Sequence, residues 1–198
     1  MDWRDGFERA AARYRAGETR EANERQLVQR GNAAWAAGLC LLMAGEQEES
    51  ATWLRRAAAA YRRSWDAGAP ADAWGRPIAA LKALLIAGDD ATEAAEWALE
   101  AGAARAESPI GRYAATLALL VLGRDEEAGA LAAALGESFP QDVAAALEAL
   151  AESDADAYRA AVASVRRSFE QRDAFLEDVP VADTALALDA LAERSGLR

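Results

Sequence analysis

The chain contains no histidine. That excludes Ser-His and Cys-His dyads, His-ligated zinc and any imidazole acid or base. Its one cysteine, Cys40, excludes an intrachain disulfide and cannot build a zinc site alone. Set in the apolar run of residues 38–43, it reads as a small buried hydrophobe. Lys82 is the only lysine, so the basic side of the chain is nearly all arginine. No run of about 18 uncharged apolar residues occurs, and the first residues lack a basic stretch followed by an apolar one. A cytoplasmic protein with no membrane partner is the expectation. Gly-rich phosphate loops, a Gly-x-Ser-x-Gly elbow and a calcium-hand loop are also missing, so no cofactor, no metal and no catalysis are expected.

What the chain does contain is alanine, 55 of its 198 residues, with few runs of Val, Ile and Thr. This composition favours helices over sheets, and the length suits one domain or an array of helical hairpins. The expected fold is all-α, a single domain over residues 1–198, divided into N-terminal helices (1–31), repeated hairpins (32–140) and C-terminal helices (141–198). The net charge of −11 repels phosphate, so nucleic acid is excluded as a default partner. A protein or peptide ligand is expected instead. A basic ligand would exploit the charge, although solvation of the surface explains the acids equally well.

Apolar residues at helical spacing run along most of the chain. Trp3, Phe7, Ala10 and Tyr14 give a first helix stopping near Gly17. A second is expected over residues 18–44, polar in its first half and apolar in its second. Trp53, Leu54, Ala57, Tyr61 and Trp65 mark a third. Asp72 is the expected cap of a fourth, with Pro77 in its first turn, and Ser108-Pro109 opens another by the same logic. A helix beginning at residues 124–127 is expected to run on through Leu135 to Phe139-Pro140.

Three junctions superimpose: residues 41–49, 84–90 and 119–127 each carry an apolar helix end, a glycine (Gly45, Gly88, Gly123) and an acidic start to the next helix. Residues 149–156 form a fainter copy around Ser153. The spacing is that of two-helix repeat units. Glycine in the left-handed conformation closes the orphan carbonyls of one helix, and the acids meet the positive end of the next. The pairs Glu48-Glu49, Asp89-Asp90 and Glu126-Glu127, which are candidates for Mg²⁺ or acid–base work by residue type, are accounted for by these corners. Asp154 with Asp156 reads the same way.

Gly123, Ala128 and Pro140, and in an earlier unit Gly38, Gly45 and Ala57, resemble the Gly, Ala and Pro positions of tetratricopeptide repeats over residues 32–140. The resemblance implies a right-handed solenoid of stacked hairpins with a concave groove for proteins or peptides. Residues 74–196, through Tyr158, Phe169, residues 185–188, Leu191 and Gly196, resemble the helical immunity proteins of the immunity protein 49 group, which implies a toxin as partner.

Two further features bear on a site. Six tryptophans, at positions 3, 35, 53, 65, 74 and 97, are mostly core fillers between alanine-rich helices. Aromatic and Arg side chains anchor interfaces, so Trp74 beside Arg76, Arg112 and Tyr113 is the candidate partner groove. Residues 175–179 are expected to be extended, with Asp178 helping to cap a last helix that has Pro180 in its first turn and Asp183 at its dipole end. Asp178 and Asp183 complete the candidate groove. Convergence of Arg76, Arg112, Asp178 and Asp183 on one pocket would instead favour a small-molecule or enzymatic site.

Overall fold

The computed structural model describes residues 2–17 and 22–197, and over these the chain is all-α, with no strand. Its helices are α1 (Trp3–Ala16), α2 (Glu24–Met43), α3 (Gln47–Asp66), α4 (Gly75–Ile86), α5 (Thr92–Glu100), α6 (Pro109–Val121), α7 (Asp125–Ala133), α8 (Gln141–Ala151), α9 (Ala155–Glu170) and α10 (Asp183–Arg194). Single 3₁₀ turns occur at Ala103–Arg105 and Leu176–Asp178.

The repeated corners have one hydrogen-bonding pattern. Glu46, Asp89, Arg124 and Asp154 donate their backbone N–H groups to the carbonyls of Leu41, Leu84, Leu119 and Ala149 at 2.9–3.0 Å. Each preceding residue (Gly45, Gly88, Gly123, Ser153) has positive φ and donates three residues back. This is the Schellman closure, which satisfies carbonyls that a helix end leaves open. Ser153, at φ 56°, adopts the left-handed conformation without being glycine. The fainter fourth copy is therefore the same corner.

Caps settle several helix starts. Ser108 accepts from the Gly111 N–H ahead of Pro109, and Asp154 accepts from Asp156 and Ala157. α2 starts at Glu24, where Asn23 and Gln26 form a reciprocal capping box; residues 18–21 of the helix expected over 18–44 lie outside the described residues. Asp72 caps nothing: α4 starts at Gly75 with Trp74 before it and no side-chain cap. The helix expected to reach Phe139 ends at Ala133. Gly136 (φ 74°) turns the chain, Gln141 donates to the carbonyls of Gly136 and Phe139, and a separate α8 follows Pro140.

The chain gathers into two compact units, Met1–Asp89 with Asp173–Val181, and Asp90–Arg172 with Ala182–Arg198.

In the first unit α2 packs on α1 and α3, and α3 on α4. Two glycines inside α2 set the approach to α3: a Cβ on Gly31 would lie 2.8 Å from the Tyr61 ring, and one on Gly38 would lie 2.7 Å from Leu54 Cγ. The Ser50 hydroxyl donates to the Gly38 carbonyl at 2.7 Å, at the same level. Trp53 meets Phe7 and Tyr14 edge-on at 5.7 and 5.1 Å between centroids. Lys82, mostly buried, lies 5.6 Å from the Trp35 ring.

In the second unit successive helices α5 to α9 pack in order, and α10 packs on α8 and α9. Ala185, Leu188 and Leu191 are buried. Buried Asp189 accepts from the Tyr158 hydroxyl at 2.9 Å and pairs with Arg166, which fixes α10 against α9. Trp35, Trp53, Trp74 and Trp97 are buried, while Trp3 and Trp65 are half-buried.

Candidate functional site

The residues proposed for a groove fall three to each unit. In the first, Trp74 is buried with its ring 5.7 Å from that of Trp65. Arg76 donates to the Ser64 hydroxyl at 2.7 Å and pairs with Glu24 at 2.5 Å, with side chains 15% and 19% exposed. Its guanidinium thus ties α4 to both α3 and α2. Asp178 is exposed in the 3₁₀ turn at φ 58°. The segment expected to be extended is this turn, and α10 begins only at Asp183, beyond Pro180, with Ala182 before it and no side-chain cap.

In the second unit Arg112 donates to the Ala134 carbonyl at 2.7 Å, closing the C-terminal end of α7. Tyr113 is buried, its ring 5.2 Å from that of Phe139. Burial pushes the Tyr113 phenol well above its ordinary range, and the negative charge of Asp183 adds to the rise. Tyr113 and Asp183 are therefore brought together, at the root of α10.

The Asp89-Asp90 pair divides its labour at the unit boundary. Asp89 accepts two hydrogen bonds from Arg55, both at 2.7 Å, a fork geometry that pins the corner to α3. Asp90 accepts from the Thr92 hydroxyl and backbone N–H at 2.6 and 3.0 Å. These bonds hold its carboxyl below the ordinary range. Arg124 similarly forks onto Glu127 and lowers its carboxyl. Among the described residues no cluster of three metal-ligating side chains occurs.

Charge is distributed unequally. Residues 1–89 and 173–181 hold 15 acidic and 13 basic side chains, while 90–172 and 182–198 hold 18 and 9. The second unit therefore carries a net −9 and the first only −2. In the second unit α6, α7, α8 and α9 pack each on the next, across connections of three, seven and three residues, and so alternate in direction. The α6–α7 and α8–α9 corners consequently lie at one end. Asp125, Glu126, Glu127, Glu152, Asp154 and Asp156 are all exposed there, with Arg124 and Arg159 paired to Glu127 and Asp156.

Helix dipoles explain why acids are tolerated at each of these starts. They do not require the starts of α7 and α9 to share an end, which follows from helix parity. Corner by corner, the sequence accounts for every acid; their summation is visible only once the helices are paired. Comparisons of this chain with protein families, with curated proteins and with solved structures gave no match.

Proposed function

We propose that this chain is a non-catalytic protein-binding module, built from TPR-like helical hairpins, whose partner presents a basic surface to the acidic end of residues 90–172 and 182–198. The observation that carries the reading is the gathering of six exposed carboxylates at the α6–α7 and α8–α9 corners, only two of them, Glu127 and Asp156, paired with arginines of the same corners, in a unit of net charge −9. A field of one sign speeds the encounter with an oppositely charged protein and rejects like-charged competitors. Neutralisation of a basic toxin, the role implied by the resemblance to immunity proteins, is a special case of the same surface, distinguished by tight one-to-one binding.

Photo-crosslinkers placed at Glu126 and Asp156, with one at Arg25 as control, test the reading in the native host. Mass spectrometry is expected to recover one basic protein from the first two positions and not from the third. Crosslinks confined to Arg25, or an acidic protein recovered from Glu126, would refute it.

A further inference from the structure

A cavity of about 530 Å³ opens on the first unit, between the end of α1 and the polar first half of α2. That volume suits a small molecule. Arg13 and Gly17 line it from α1 and the residue after it, Gln26, Gln29 and Arg30 from α2, and Glu177 enters from the 3₁₀ turn at Leu176–Asp178. The Glu177 carboxylate lies 2.8 Å from an Arg13 guanidinium nitrogen. Arg30 stacks on the Tyr14 ring, 4.3 Å from its centroid, which fixes the plane of the second guanidinium. The carbonyl oxygen of Gln26 is engaged by the Asn23 N–H, leaving the amide nitrogen as the donor end.

The bland reading of Arg13–Glu177 is a surface ion pair that pins the turn. Two observations go beyond it. The pair stands at the wall of a cavity it does not fill. Its acidic member also sits at φ 57°, followed by Asp178 at φ 58°, two consecutive non-glycine residues in the left-handed region. Such backbone is costly and concentrates where a segment clamps or yields to a ligand.

We propose that this cavity binds a small dicarboxylate, with Glu177 as the resident carboxylate that the ligand displaces from Arg13. One ligand carboxylate takes the Arg13 fork, the other reaches Arg30, and the Gln26 and Gln29 amides donate along its length. Release of Glu177 relaxes the left-handed pair. The site is independent of the acidic end described above.

Glutarate, which carries the glutamate side chain's carboxylate and a second one, is the probe. Calorimetric titration of the full chain is expected to show weak binding, tightened about 10-fold in Glu177→Gln, where the internal competitor is gone. Arg13→Ala in the Glu177→Gln background is expected to lose at least about 10-fold, with its melting curve confirming that the chain remains folded. Glutaramide, the uncharged analogue, is expected not to bind. Absence of glutarate binding to both wild type and Glu177→Gln overturns the proposal. So does equal binding by Arg13→Ala, or binding of inorganic phosphate in place of glutarate.

Discussion

Gly38→Ala inverts an ordinary rule. Alanine in place of glycine inside a helix gains about 1 kcal/mol from propensity alone, and Gly38 lies well within α2. Its new Cβ, however, would lie 2.7 Å from Leu54 Cγ, 2.9 Å from Cδ2 and 3.3 Å from the Leu54 nitrogen, where carbon atoms in contact prefer about 3.5–4.0 Å. Leu54 is 0% exposed, so its side chain has no open side to move toward, and the Ser50 bond to the Gly38 carbonyl resists separation of the helices. Overpacking of this kind costs about 1–3 kcal/mol, so a net loss of about 1 kcal/mol is expected. The internal control is Gly129→Ala in α7, where the new Cβ meets only the Ala151 Cβ at 3.4 Å; there propensity wins and stability rises by up to about 1 kcal/mol. Urea titration followed by circular dichroism reads both. Tryptophan fluorescence separates the first unit, which holds five of the six tryptophans. A Gly38→Ala chain as stable as wild type would refute the close approach of α2 and α3.

Three other expectations come from single contacts. Ser153→Gly relieves a left-handed residue at an exposed corner and is expected to stabilise by about 1 kcal/mol in urea titration. Arg76→Ala leaves Glu24 part-buried without the guanidinium that ties α4 to α2 and α3; a loss of about 2 kcal/mol is expected, discounted from the fully buried case because both side chains keep some solvent. Tyr113, whose folded pKa is raised, contributes stability that is complete below the unfolded value of about 10 and is lost as pH rises beyond it, with a slope of up to about 1.4 kcal/mol per pH unit. Alkaline unfolding followed by circular dichroism is expected to set in at higher pH for Tyr113→Phe than for wild type, and phenolate absorbance at the transition to fall by one tyrosine.

The features that the sequence displayed are those set by neighbours along the chain. A glycine after an apolar helix end and an acid beyond it are local signals, and all four corners close with the same pair of backbone bonds. Ser108-Pro109 and Asp154 cap as their residue types indicate. Failures occur where a distant residue decides. Asp72 has the right chemistry for a cap, yet α4 starts without one, and Arg76 at that start is held by Ser64 and Glu24. Residues 175–179 look extended by composition, but Arg13, from the first helix, holds Glu177 in a tight turn. Arg112, which reads as an interface anchor, also donates to the Ala134 carbonyl at the end of α7, a contact the sequence does not announce. The acidic end was hidden for another reason. Each acid has a local explanation, and only the alternation of helix directions places them together.

The most direct test of the protein-binding reading is the affinity for the crosslinked partner at about 50 and about 500 mM NaCl, for wild type and for a Glu126→Lys/Asp156→Lys chain. Screening shrinks to a few ångströms across that range, so wild-type affinity is expected to fall at least about 10-fold, and the charge-reversed chain to bind weakly at both concentrations. Equal affinity of the two chains, unchanged by salt, would contradict an acidic end that recruits a basic partner.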